Sequence, residues 1–408
     1  MFAALILTMP YNTQTDVRFV RAAYDTFTAG SLNLEDAYDI LFYTNPDLAA
    51  GLEDGHPVHG IEIEIGGRNS TNFALVGKAA RCENCRDVEG FLLIVDGTTG
   101  ERIWQWTARL KDDDALNAVV QLPPESEANQ GDLLVVGFKI ENGVAKRMIV
   151  RLDLDTLRVK WVATDFGDSP RSHGAWEMIT LNEDKNSILL SGVMSRRTTD
   201  EMWFKSYGNV ADGQPVVMEI PISALDSAPT AASATWTQVW PEYENLISAK
   251  SIRPVTNNKV AILLWGEEDN SATLQLFDEQ RQSIWGPTLF GRIHGEGTDI
   301  AVSSDAIAIS GHGCTTCNGE LQGKLTKVRL DDGELQWSKA YEMCDHTIYP
   351  TCVFIFNECW GVQALADDGF VLACGTGIEG CEDMTGSLRS SCRRGDGVPV
   401  DPRPDRRR

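Results

Sequence analysis

The sequence is short of positive charge: 36 Lys and Arg stand against 59 Asp and Glu, for a formal net charge of -23. Nucleic-acid affinity comes largely from cations that neutralise phosphates, so this balance excludes nucleic acid and argues against anionic membrane surfaces. No apolar run reaches the ~20 residues that a membrane-spanning helix needs, and no such span is expected. The apolar stretch Met1–Pro10 has no basic residue before it. It reads either as the remnant of a signal peptide or as a short buried strand. Also missing are the Gly-x-Ser-x-Gly elbow of hydrolases, the Gly-x-x-x-x-Gly-Lys phosphate loop and a helical His-Glu-x-x-His. Helical spacing of apolar residues is confined to residues 15–55, which suggests a partly helical N-terminal segment.

Cysteine, by contrast, is plentiful. Ten occur in 408 residues: Cys82, Cys85, Cys314, Cys317, Cys344, Cys352, Cys359, Cys374, Cys381 and Cys392. An even number set in Gly-rich, loop-like sequence favours disulfides, and hence an extracellular or cell-surface location. The sequon at Asn69-Ser70-Thr71 agrees with that placement.

A repeat gives the architecture. Its first anchor is a short apolar strand that ends at or beside glycine, in six copies: 73–77, 133–137, 188–192, 261–266, 307–311 and 370–375. The second follows about 20 to 27 residues later as an alternating strand, an acidic turn and a tryptophan. It is seen at 93–104, 150–161, 274–285 and 328–337, where the tips are Trp104, Trp161, Trp285 and Trp337. In the third unit a Ser/Ala/Pro insertion near 223–234 separates the strand from Trp236 and Trp240. A four-stranded unit of this kind cannot bury both faces alone, and stacking round an axis does it. The expectation is an all-β propeller of six or seven four-stranded blades over residues 56–386. Residues 1–55 precede it and a disordered basic tail, 387–408, follows. The hairpin and tryptophan due after Gly375 are missing, so the ring is expected to stay open or to be closed by an N-terminal strand. The acidic turn Asp331-Asp332-Gly333-Glu334 fits a hairpin better than a calcium loop.

Asp96-Gly97-Thr98-Thr99-Gly100 followed by Trp104 resembles the outer-strand motif of pyrroloquinoline-quinone (PQQ) type repeats, the quinoprotein-alcohol-dehydrogenase-like propellers. The other copies match at the acid, the turn and the tryptophan. The resemblance covers about residues 59–385 and implies a fold more than a function. The dehydrogenases of that superfamily hold their quinone between a tryptophan and a disulfide of two adjacent cysteines, with calcium beside a catalytic aspartate. This chain has no adjacent Cys-Cys pair. No catalytic residue, metal or cofactor is therefore assigned, and a divergent quinone-dependent oxidoreductase is kept as the alternative.

Three His-Gly motifs near an acid fall at one place in the repeat: His59 with Glu62, His173 with Glu177, and His294 with Asp299. At the start of innermost strands they would gather at the mouth of a central channel, where imidazole and carboxylate suit a divalent ion or a small polar ligand. The competing reading is duplication of a glycine turn whose histidine bonds nearby backbone. Cys82/Cys85 and Cys314/Cys317 occupy equivalent loops of the first and fifth units, too far round a ring of about six to share zinc. Each pair is read as a local disulfide, with reduced or metal-bound thiols as the alternative. The function expected is a non-catalytic, acidic, monomeric binding or scaffold propeller with a protein or small-molecule partner.

Overall fold

The computed structural model describes residues 6–8, 18–20, 53–63, 65, 72–80, 88–97, 102–107, 114–124, 131–167, 172–196, 213–266, 271–313, 320–341, 354–366 and 368–379. Strands β1 (Ile6–Thr8) and β2 (Arg18–Val20) pair antiparallel. Part of the stretch expected to be helical is thus a strand, and the rest of it lies outside the described residues up to Glu53. Five four-stranded antiparallel blades follow. The first is β3 (Glu53–Ile63), β4 (Asn72–Ala80), β5 (Val88–Asp96) and β6 (Arg102–Thr107). The second is β7 (Asp114–Gln121), β8 (Leu133–Glu141), β9 (Val144–Asp153) and β10 (Arg158–Ala163). The third is β11 (Gly174–Leu181), β12 (Ser187–Ser195), β13 (Gly213–Pro221) and β14 (Trp236–Val239). The fourth is β15 (Leu246–Val255), β16 (Lys259–Gly266), β17 (Thr273–Phe277) and β18 (Ser283–Leu289). The fifth is β19 (Glu296–Val302), β20 (Ala306–Gly313), β21 (Glu320–Arg329) and β22 (Leu335–Tyr341).

Six or seven blades were expected, and five are complete among the described residues. The sixth glycine-strand unit contributes a two-stranded hairpin, β23 (Phe354–Ala364) and β24 (Phe370–Glu379), joined to β21 by a short parallel bridge. The reason lies in the sequence after Gly375, which lacks the acidic turn and tryptophan of an outer pair. β1 lies alongside β24.

The second strand of each blade is largely apolar, and β12 and β20 are buried almost throughout. Their side chains fill the spaces between blades, as where Leu263 of β16 packs with Ile300 and Ile309 of the fifth blade. Each such Val, Leu or Ile contributes roughly 1.5–3 kcal/mol of burial. The outer tryptophans reach across to the next blade: Trp161 Nε1 donates to the Leu225 carbonyl (3.0 Å) and Trp285 Nε1 to that of Leu330 (3.0 Å). The acidic turns are hairpins. Asp153, Asp278 and Asp332 accept from the backbone N–H groups of Thr156, Gln282 and Glu334. Among the described residues of these turns, the left-handed position is taken by Gly333 in one blade and by Leu157 and Arg281 in two others.

One feature positions everything near the axis. Each inner strand has a β-bulge at the same place, where the register shifts past Val58, Asn117, Glu177, Lys250, Thr298 and Trp360. Opposite the residue before the bulge stands glycine in four units: Gly77, Gly137, Gly192 and Gly311. A Cβ on Gly137 would lie 1.9 Å from the Ala115 carbonyl oxygen, and one on Gly311 would lie 1.8 Å from that of Glu296. The recurring glycine of the sequence is the space into which the bulge folds.

Candidate functional site

An inner strand has a hydrogen-bonded neighbour on one side only, so its other edge presents bare N–H and C=O groups to the channel. Side chains from the adjacent blade satisfy them. His59 Nδ1 accepts from the Val119 N–H (3.3 Å), Asn117 Nδ2 donates to the Trp176 carbonyl (2.8 Å), and Arg253 Nε donates to that of Ile300 (3.0 Å). Thr298 Oγ1 donates to the Cys359 carbonyl (2.8 Å), as Asn117 does to Trp176. Between the third and fourth blades the two bulge residues pair directly, Lys250 Nζ with Glu177 Oε1 at 3.4 Å.

Asp299, just after its bulge, is the centre of a polar group. Its Oδ1 accepts from Ser251 Oγ (2.6 Å) and its carboxylate takes two bonds from Arg253 Nη2 (2.8 and 3.0 Å). His59, half-buried in the first blade, stands close enough to Arg253 and Asp299 to feel both charges. Burial, with Arg253 adding and Asp299 opposing, lowers its pKa to about 4. The imidazole is neutral at physiological pH and serves as a hydrogen-bond acceptor.

Of the six residues expected at the channel mouth, His59 and Asp299 come together and Glu177 joins the same belt through Lys250. The other three lie elsewhere. Glu62 is exposed on β3 opposite Phe73. His173, buried just before β11, accepts from the Ala145 N–H of the second blade at Nδ1 (3.1 Å) and is tied by its backbone to Ser195. His294 ends a helical turn, Gly291–His294, with Nδ1 2.7 Å from Thr326 Oγ1 inside its own blade. Burial lowers its pKa to about 3, aided by the charges of His312 and Lys324 and opposed by a backbone hydrogen bond at Ser310. Among the described residues no three His, Cys, Asp or Glu side chains are gathered to hold a metal ion. Cys82, Cys85, Cys314 and Cys317 lie outside the described residues. Cys359 and Cys374, opposite one another in β23 and β24, form a buried disulfide.

Sequence reasoning missed Asn117, Lys250, Ser251, Arg253 and Thr298. No motif marks them; Asn117, Lys250 and Thr298 share only the bulge position of their inner strands. At the opposite end of the ring a shallow polar groove lies between the third and fourth blades. There Arg281 pairs with Glu219 (2.8 and 2.9 Å) and lies over the Trp236 ring.

No family model matches the chain, and no curated protein does. Solved structures do. The chain is similar to Chaetomium thermophilum Sqt1 at 9% identity and a TM-score of 0.37, over 79% of this chain and 97% of that one. It is similar to the β-propeller domain of the Trilobed protease from Pyrococcus furiosus at 9% identity and a TM-score of 0.36, over 80% and 82% of the two chains. A third, Pyrococcus horikoshii acylaminoacyl peptidase, matches at 14% identity and a TM-score of 0.32, over 78% of this chain and 48% of the enzyme, about half its length. Likenesses this distant carry no functional argument, and the propeller fold rests on the blade geometry above.

Proposed function

We propose that this chain is a non-catalytic binding or scaffold propeller of six PQQ-type blades, monomeric and secreted or displayed at the cell surface. Its partner, a protein or a small molecule, docks where the inner strands begin. The observation that carries this reading is how the channel spends its polar groups, on the free edges and ion pairs of adjacent blades. A general base or nucleophile needs a free lone pair and a pKa matched to its task. His59 has Nδ1 occupied and a pKa near 4, and Asp299 is held by Ser251 and Arg253. Such bonding makes a rigid frame, and connections on a rigid frame are suited to recognition. Those leading into β15 and β19 leave Tyr243 and Ile293 exposed at 40 and 47%, and Leu289 at the end of β18 is exposed at 55%.

Two observations support a sixth blade. The bulge at Trp360 repeats that of the other inner strands, and Thr298 reaches β23 as Asn117 reaches β11. β1 beside β24 supports closure by the N-terminal hairpin. The ten cysteines and the Cys359–Cys374 bridge support an oxidising compartment. The deciding experiment adds PQQ and calcium to the purified full-length protein and follows its absorbance and the reduction of an electron-accepting dye with alcohols and sugars. No turnover is expected. Sustained dye reduction dependent on added quinone replaces this reading with the oxidoreductase one.

A further inference from the structure

The junction between the fifth blade and the β23–β24 hairpin is unlike the others, because a histidine is placed between carboxylates from both sides. His312 of β20 stands opposite Glu296 of β19, with Nε2 3.3 Å from Glu296 Oε2 and 3.9 Å from Glu358 Oε1 of β23. Its ring lies 5.4 Å from that of Trp360, the bulge residue of β23. His312 is 7% exposed and its Nδ1 is buried with no hydrogen-bond partner. We propose that Glu296, His312 and Glu358 form a proton-operated latch, closed when His312 carries a proton and loosened when the proton leaves, which sets how firmly the hairpin docks on the fifth blade.

The neighbours decide the sign. Burial alone would strip the proton from His312, but the Glu296 hydrogen bond and the charges of Glu296 and Glu358 outweigh it and raise the pKa above 6.5. Glu358, in turn, is held above the usual carboxylate range by burial, with Glu296 adding to the rise and His312 opposing it. Lys324 of β21, opposite Gly311, is a buried amine whose pKa burial lowers. His294, with a pKa of about 3, is neutral across the working range. Tyr341 of β22, opposite Gly323, is kept protonated by burial. The cations nearby add no carboxylate, so the acids that hold the proton are Glu296 and Glu358, and the three groups titrate as a unit.

A raised histidine pKa contributes stability that is full below 6.5 and is lost as pH rises through the folded value. The raised pKa of Glu358 acts in the same sense, because its ionisation in the seam costs docking above about 4.5, the unperturbed glutamate value. Both groups make the junction tighter in acid and looser in alkali. The unit that loosens is the hairpin as a whole, because Cys359–Cys374 ties its strands together and Cys359 seats over Gly323, where a Cβ would come within 2.7 Å of its Sγ.

The test is hydrogen exchange on the full-length protein between pH 5.5 and 8.5, with rates corrected for intrinsic exchange and peptides 354–379 compared with those of the second blade. Protection of the hairpin should fall about tenfold per pH unit between 6.5 and the latch midpoint, while the second blade stays constant. H312Q should remove the His312 share of this dependence and leave a shallower fall carried by Glu358 alone, whatever its baseline protection. Should H312Q not fold, E296Q keeps the imidazole and is expected to move the midpoint down. A hairpin that tracks the second blade at every pH, or a midpoint unmoved by E296Q, overturns the latch.

Discussion

Replacing Gly137 by alanine tests the physical core of the fold. The added Cβ would sit 1.9 Å from the Ala115 carbonyl oxygen and 2.9 Å from its carbon, where real contacts need about 3.3 Å or more. Relief requires the inner strand β7 to move by more than an ångström, and β7 carries the Asn117 bond to Trp176. Overpacking of a closed site costs about 1–3 kcal/mol and occasionally more; with the bulge and the inter-blade bond displaced as well, about 3–5 kcal/mol is expected. Gly143→Ala is the control. Its φ of +79° imposes a left-handed penalty, yet nothing lies within 4 Å of the new Cβ, so about 1–2 kcal/mol is expected there. Urea unfolding followed by tryptophan fluorescence measures both. G192A and G311A should behave like G137A, because their Cβ atoms would meet the Ala175 and Glu296 carbonyl oxygens at 2.2 and 1.8 Å. If G137A costs no more than G143A, the repeated glycine has some other cause and the bulge argument fails.

Three further outcomes follow from the geometry. Because burial holds His294 neutral with a pKa of about 3, its contribution is full above 6.5 and is lost as pH falls. Wild-type protein should lose about 2.7 kcal/mol from this group between pH 8 and 4.5, and H294Q should show a shallower decline over the same window. Truncating Asp299 to alanine leaves Arg253 facing the channel without its carboxylate and should cost about 3 kcal/mol; the double variant D299A/R253A should cost less than the two single losses added together, as a double-mutant cycle measures. Finally, non-reducing peptide mapping should find Cys359 joined to Cys374. The C359S/C374S variant, which opens a bridge across 15 residues of sequence, should lose about 3 kcal/mol of hairpin stability.

Strand content, the glycine markers and the tryptophan hairpins were legible because each is a local pattern. Alternation along 93–104 or 274–285 is set by which side chains face a neighbouring blade, and a turn acid such as Asp278 bonds backbone four residues on. The bulges were not legible, since a bulge is a register between two strands and leaves no composition of its own. The belt round the channel was harder still. Asn117 and Trp176 are 59 residues apart, Arg253 and Ile300 are 47, and Thr298 and Cys359 are 61. The three His-Gly motifs looked equivalent in sequence but are not equivalent in space. His59 lies within its inner strand beside the bulge, whereas His173 and His294 precede theirs.

The belt also explains why one junction differs from the rest. Between the second and third blades one link is an amide donor, beside the His173 bond to Ala145, and between the fourth and fifth one is a guanidinium; the amide and the guanidinium neither gain nor lose a proton in the physiological range. At the fifth blade and the hairpin a hydroxyl donor, Thr298, shares the work with the His312 group. Loss of the His312 proton therefore alters this seam, while the amide and guanidinium links stay as they were. As pH rises above 6.5 the loosening is expected at this one place, which adjoins the ends where the inner strands begin, the face proposed for partner binding.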